Sequence, residues 1–521
     1  MSEITFNTES FPPIFREIPF EDPFEVYKRL RSRNSFLLES VKGPENIARY
    51  SFIGIEPYLI LKGKDGAVEI DCQGRKTLSS RNPLQRLREL VNAYKQKPVK
   101  ELPPFQGGAA GMLSYDFVHY LEKLPETATD DLHVPDVHFF MIDRLIAFDH
   151  AAKKSWIVVC PGARETVLGF SDVTKQRQIL VAEAEDVLED IRKRLSFTDK
   201  TGEGFTQEFI SKVPSPSPSP SRGEGCNISP PLSGGDEGEG DSDSHHRMKI
   251  SYEMEKEVYM EMVKKAREYI AAGDIFQANL SLRVSADIGA TDPWKVYTIL
   301  RKINPSPFAA YVDFGDYHIV SSSPERLVRV IGRDVDTRPI AGTRPRGRDI
   351  DEDEIMSAEL LLNEKERAEH IMLIDLERND LGKVADYSSI NVDELMITEK
   401  YSHVIHIVSN VKGILAEDKD CFNVIRATFP GGTITGVPKV RCMEIIDELE
   451  PTQRGPYTGS IGYIGFNGNM DLNIIIRTFL IKNGRAYVQA GAGIVADSDP
   501  EREYYESLKK AEALIKTLEY L

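Results

Sequence analysis

The chain has 521 residues, 41% hydrophobic and 28% charged, which is the balance of a globular protein with one large domain or two to three ordinary ones. Its formal charge of −17 argues against nonspecific nucleic-acid binding, yet it allows a locally positive site for a small anion. No apolar run approaches the roughly 20 residues that span a bilayer, so no membrane segment is expected.

The first stretch, "MSEITFNTESFPPIF", lacks the basic-then-apolar order of a signal peptide. Five scattered cysteines without a Cys-x-x-Cys fit a reducing cytoplasm, with neither zinc nor a disulfide framework. Apolar runs follow in order: "SFLLES" (35–40), "RYSFIGI" (49–55), "YLILKG" (58–63), "AVEIDC" (67–72), "RLIAFDH" (144–150) and "KSWIVV" (154–159). They predict antiparallel strands, with helices at 23–33, 83–96 and 173–195. Residues 213–247 are Pro/Ser-rich and then Gly/acid-rich, with almost nothing to bury. They read as a disordered insertion that divides the chain into 1–212 and 248–521.

The second region opens with a helix over 252–272 that ends at Gly273. Strands follow at "IFQANLSLRV" (275–284), "FAAYVDF" (308–314), "YHIVSSS" (317–323) and "RLVRVIG" (326–332), then a long helix over about 355–380. Near the end lie "GSIGYIGF" (459–466), "LNIIIRTFLI" (472–481) and "RAYVQAGAGIV" (485–495), a glycine turn, and a last helix with Asp499 as cap and Pro500 at its first position. Strands cluster without regular β-α-β alternation and no repeat is found, so the fold expected is α+β with large, mainly antiparallel sheets.

On the last helix Glu503 and Glu506 stand three apart on one face, where like charges repel. Glu366 and Glu369 repeat that spacing in "NEKERAEHIMLIDLERND" (363–380). The pairs are either solvated helix surface or oxygen ligands from two helices for one hard cation. Mg2+ would keep places for water and an anionic substrate. Arg477 interrupts an apolar run and needs a partner, either an acidic side chain or a substrate carboxylate gripped by the guanidinium fork. "GAG" (491–493) reads as a tight turn or as backbone N–H groups for an anion. "FPGGTITGVPK" (429–439) suits an oxygen-rich ligand or a plain turn. It is no P-loop, because Lys439 follows Pro438. His406, in "YSHVIHIVSNV" (401–411), reads as a core histidine.

Taken together, "PIAGTRPRG" (339–347), "KERAEHIMLIDLERNDLG" (365–382), "FPGGTITGVPKVRCMEIIDELEP" (429–451), "GSIGYIGF" and "GAGIVADSDPEREYYES" (491–507) resemble the chorismate-utilising enzymes. "FLLES" and "ARYSFIG", within 36–54, resemble the ammonia-using branch: anthranilate synthase component I and aminodeoxychorismate synthase component I. The resemblance covers almost everything but 213–247. It implies Mg2+ on Glu366, Glu369, Glu503 and Glu506, holding a substrate carboxylate. Tyr457, Arg477 and the backbone of Gly491 and Gly493 match positions that bind the other carboxylate or the ring, and Lys510 matches a further basic contact. Glu325, in "SSSPERL" (321–327), matches the general acid beside the departing C4 hydroxyl, which must be protonated to leave. Thr343 and His406 match residues lining the same site.

Water-using relatives carry a lysine base where this chain has Gln277, so the resemblance implies ammonia as nucleophile. With no glutamine amidotransferase module in the chain, it also implies a separate glutaminase subunit. Several segments, among them "GDIFQANLSLR" and "YTGSIGYIGFNGNMDLNIIIRT", are more similar to aminodeoxychorismate synthases, which make 4-amino-4-deoxychorismate for 4-aminobenzoate and folate. "HVIHIVSNV" and "QAGAGIVADS" are more similar to anthranilate synthases of tryptophan synthesis. Ala341 stands where many aminodeoxychorismate synthases have a lysine that attacks C2 covalently, which alanine cannot do, so this one site, against the several segments, favours anthranilate synthase or a lysine-free subtype of the other enzyme. The resemblance thus points to aminodeoxychorismate synthase component I, with anthranilate synthase component I as the alternative. Glu39 and Ser40 match part of a tryptophan-binding site in relatives, either regulatory or kept as a structural pocket. A metabolite-binding module that had lost its chemistry would show erosion at the metal or acid positions, and all five glutamates are present. An acidic scaffold acting through 213–247 is the third reading, against a tolerated surface insertion.

Overall fold

The structure, a computed structural model, describes residues 12–45, 47–168, 173–196, 249–401 and 404–521. The insertion read at 213–247 lies outside them. The fold is α+β, as expected: two twelve-stranded antiparallel sheets with helices packed against them. Strands from before and after the insertion share both sheets. In the first sheet Ser35–Glu39 pairs with Phe308–Asp313; in the second, Gly108–Leu113 pairs with Ser460–Gly465. Their inner faces meet in an apolar core that includes Leu37, Ile53, Phe139, Val320, Val328 and Phe479.

The chain passes between the sheets at two adjacent places. Tyr317–Ser323 belongs to the first sheet and Arg326–Ile331 to the second, so Glu325 stands in the crossing. Met470–Asn473 belongs to the second sheet and Thr478–Lys482 to the first, so Arg477 stands in the return crossing, with a φ of 53°. The crossings are tied together: the Ile474 N–H donates to the Glu325 carbonyl at 3.0 Å, and the Ser322 N–H to the Arg477 carbonyl at 3.1 Å. Arg477 is therefore at a corner between sheets, where the apolar run had suggested one continuous strand.

Two further expectations are corrected. The long helix over 355–380 is two helices, Ile350–Leu362 and Glu364–Gly382. Asn363 breaks it because its amide oxygen accepts from the Glu366 N–H at 3.0 Å and caps the second helix. Gly491 and Gly493 are not in a turn but inside the strand Arg485–Ile494, opposite Ser281 and Asn279. A Cβ on Gly493 would stand 2.4 Å from the Gln277 amide nitrogen, and one on Gly491 would stand 2.4 Å from the Leu280 carbonyl. Close approach of the neighbouring strand, not turn geometry, requires glycine there. The strand supports Pro500–Glu519, while Glu364–Gly382 packs on Ile340–Pro345 and Val404–Ile414.

Candidate active site

Glu325 is buried at its crossing, and its Oε1 accepts from the Thr433 hydroxyl at 2.9 Å. Burial pushes its carboxyl up to about 7, against the pull of hydrogen bonds from Thr433 and the Ile340 backbone and of the nearby Lys510 charge. A carboxyl so placed keeps a proton near neutrality, as a general acid must.

Arg477 donates to the Lys510 carbonyl and lies close to Tyr457. Among the described residues no carboxylate is within ion-pair distance of it, and burial works against its charge. The structural ion pair is thereby excluded for these residues, leaving a guanidinium suited to a ligand's carboxylate. Tyr457 is pushed up to about 12 by burial, opposed by Arg454 and Arg477. Beneath it runs a buried framework. Arg454 pairs with Glu450 at 2.7 and 2.9 Å and donates to the Asn279 and Ile434 carbonyls.

On the strand Ile340–Pro345 the register slips at Gly342, whose φ is 65°. A Cβ there would stand 2.5 Å from Glu366 Oε2, so glycine serves both the backbone and the close approach. The bulge sets Thr343 against His406, with Oγ1 and Nδ1 3.0 Å apart, and Nδ1 is 3.2 Å from the Gly342 carbonyl. Burial pushes His406 down to about 4, so it is neutral at neutral pH. It is a buried histidine whose Nδ1 is satisfied by Thr343 and the Gly342 carbonyl. Ala341 pairs with Ile407 and offers no nucleophile.

The four glutamates lie on two helices, and across them Glu506 is near enough to Glu369 to act on its charge. Burial raises Glu369, with Glu506 and Glu366 adding to it, against Lys510 and a hydrogen bond from Gln277. Burial likewise raises Glu503, with Glu506 adding, against the Ser498 hydroxyl, Lys510 and Lys365. Besides Lys365, two cations answer this charge. Arg344 Nη1 stands 2.7 Å from Glu366 Oε1; Lys510 Nζ stands 3.3 Å from Glu506 Oε1 and donates to the Gly491 carbonyl at 2.9 Å. Among the described residues no three His, Cys, Asp or Glu side chains are placed to hold a metal ion. In kind, however, the donor set fits a hard divalent cation: four carboxylates, oxygen only, two of them, Glu369 and Glu503, with burial working against their charge.

Sequence reading missed Arg344 and Thr433. Arg344 follows Thr343 in "AGTRPRG", and only the strand's placement beside the second acidic helix shows its partner. Glu39 and Ser40 lie apart from these groups, at the end of the strand Ser35–Glu39. Glu39 accepts from Tyr297 at 2.7 Å and from Arg301 at 2.6 and 2.9 Å. The Ser40 hydroxyl donates toward the Tyr50 and Pro307 carbonyls at 2.8 and 3.1 Å. Both are thus engaged within the protein.

Two sheets joined at paired crossings, with a buried acid, a guanidinium that no described carboxylate balances and two acidic helices beside them, define an enzyme site for a small polyanion. Residues 33–516 match the family model described as chorismate binding enzyme, and the chain belongs to that family. Over 511 residues it is 41% identical to aminodeoxychorismate synthase component 1 of Bacillus subtilis (strain 168), covering 97% of each chain. Over 512 residues it is 40% identical to anthranilate synthase component 1 of Acetivibrio thermocellus, covering 97% of this chain and 95% of the relative. The crystal structure of anthranilate synthase component I from Streptococcus pneumoniae TIGR4 superposes with a TM-score of 0.72 at 33% identity, covering 95% of this chain and 98% of that one. Among the described residues no helix is long and apolar enough to cross a membrane.

Proposed function

We propose that the protein aminates chorismate to 4-amino-4-deoxychorismate, using ammonia from a separate glutamine amidotransferase subunit, for 4-aminobenzoate and folate synthesis in the cytoplasm. The observation that carries the reading is Arg477: a half-buried guanidinium with no acidic partner among the described residues, beside Tyr457, at a crossing hydrogen-bonded to that of Glu325. One carboxylate of the substrate takes the Arg477 fork, with Tyr457 against the ring. Lys510 adds positive charge between Gly491 and the glutamates.

Glu325 gives its proton to the C4 oxygen as the C4–O bond breaks, and water leaves. Ammonia supplies the new C–N bond, and a proton lost from the new ammonium restores the acid, so chorismate and ammonia become the amine and water. Thr433 holds Glu325 for this transfer, and neutral His406 holds Thr343. Glu366, Glu369, Glu503 and Glu506 would hold Mg2+, which supplies positive charge for the second carboxylate of the substrate.

The anthranilate synthase reading is the second one, and Ala341 favours it, because no side chain at that position can attack C2. Gln277 at the lysine position of water-using relatives supports ammonia under either reading.

The test is turnover of chorismate with Mg2+ and either ammonium or glutamine. Ammonium alone is expected to support amination, and glutamine only after a glutaminase subunit is added. Hydroxylated product with water as nucleophile would overturn the proposal.

A further inference from the structure

The loop that carries Tyr457 is held from behind by the part of the chain before the insertion. Its root is Gly455, in the left-handed region at a φ of 57°. Two consecutive residues engage both backbone groups of that glycine. The Gly455 N–H donates to Asp116 Oδ2 at 2.8 Å, and the Gly455 carbonyl accepts from the Tyr115 N–H at 2.7 Å. Tyr115 and Asp116 follow directly on the strand Gly108–Leu113 and Ser114. At the other end of the loop, a Cβ on Gly459 would stand 2.2 Å from the Leu113 carbonyl, so glycine lets the two backbones touch. The Arg454 guanidinium lies 4.8 Å from the centre of the Tyr115 ring and 5.6 Å from that of the Tyr457 ring.

The ordinary work of an aspartate here would be to cap its own helix, since Asp116 is the second residue of the short helix Tyr115–Tyr120. Its carboxylate instead bonds to a residue 339 positions away. Asp116 is buried, and removing its carboxylate leaves the Gly455 N–H without its acceptor. Only Pro456 stands between Gly455 and Tyr457, and its ring fixes one backbone angle. A shift at Gly455 is therefore passed on to the Tyr457 ring. Beyond Tyr457, the Thr458 N–H donates to the Ile475 carbonyl at 2.8 Å, which ties that end of the loop to the crossing of Arg477. The end at Gly455 is the one that Asp116 holds.

We propose that Asp116 is a positioning residue for substrate binding: it fixes Gly455 and, through Pro456, sets the Tyr457 ring against chorismate. The proposal rests on Tyr457 as a substrate contact. It gives the region before the insertion a part in a site whose other groups all follow the insertion. Asp116 acts on how the substrate is received and touches no reacting atom, so its loss shows in KM more than in kcat.

The test compares D116A and D116N with wild type at saturating ammonium and Mg2+. In D116A the KM for chorismate is expected to rise about 5- to 50-fold, the order of a lost hydrogen bond to a carboxylate, with kcat within about threefold of wild type. Asparagine offers Gly455 the same acceptor, so D116N is expected to bring KM back to within about threefold of wild type. In a Y457A background, D116A should raise KM by less than about twofold, because the ring it places is gone. An unchanged KM in D116A, a D116N as impaired as D116A, or a rise by the same factor in both backgrounds would overturn the proposal, even with a loss of stability. If D116A does not fold, G455V decides. A Cβ at Gly455 meets nothing within 4 Å, and a β-branched residue is strained at that φ, so the variant loosens the same clamp from the other side. A comparable rise in KM supports the proposal, and a wild-type KM overturns it. Y457A with an unchanged KM would remove Tyr457 as a substrate contact, a failure distinct from an unchanged KM in D116A alone.

Discussion

Replacing Arg477 with methionine separates the binding role of the guanidinium from a structural one. The wild-type side chain makes one described hydrogen bond, to the Lys510 carbonyl, worth about 1 kcal/mol net. Its removal also relieves a half-buried charge that no described carboxylate balances. The two effects oppose each other, so unfolding free energy in urea is expected to move by no more than about 1 kcal/mol. A substrate carboxylate on the fork would lose two charge-assisted hydrogen bonds, each worth about 1.5–3 kcal/mol. The KM for chorismate is then expected to rise roughly 10²- to 10³-fold, measured with saturating ammonium and Mg2+. Loss of about 3–5 kcal/mol of stability with an unchanged KM, the behaviour of a broken buried ion pair, would refute the reasoning.

Other perturbations test other parts of the site. Glu325 carries its proton to about pH 7 when folded, against an ordinary value of 4.5. Between those values the folded state keeps a proton that the unfolded chain has lost, so stability falls as pH rises through this window, by roughly 3 kcal/mol in all. E325Q should therefore be more stable than wild type above pH 7 and show no advantage below 4.5 in urea melts, while kcat falls about 10²- to 10⁴-fold. Glu503→Gln relieves a half-buried charge, so stability should hold or rise while the Mg2+ needed for half-maximal rate increases about tenfold or more. Unchanged activity at limiting Mg2+ would sink the metal assignment. Glu450→Ala should cost about 3–5 kcal/mol in urea melts, because it strands the Arg454 charge beneath Tyr457. A loss below 1 kcal/mol would show that the framework is not what holds the site floor.

The chemistry was more legible in the sequence than the geometry. Glu366/Glu369 and Glu503/Glu506 could be picked out because a three-residue spacing on a helix is a local pattern, and the α+β class followed from alternating runs between helices. Where Arg477 stands was not legible, since nothing in "LNIIIRTFLI" shows that its two halves belong to different sheets. Gly491 and Gly493 were read as a turn because glycine marks both turns and close strand approach. Only the register against Asn279 and Ser281 separates the two. The break at Asn363 hides in an otherwise helical run, because a cap inside a helical pattern looks like one more polar residue. Arg344 depends on a contact across the fold, with Glu366 22 residues away.

The central claim is amination of chorismate at C4, and its most direct measurement is the product. Purified protein, chorismate, Mg2+ and ammonium at alkaline pH should give 4-amino-4-deoxychorismate, resolved by mass and converted to 4-aminobenzoate by an added lyase. Fluorescent anthranilate with an equal amount of pyruvate would contradict it and make Ala341 the residue that decided the reaction.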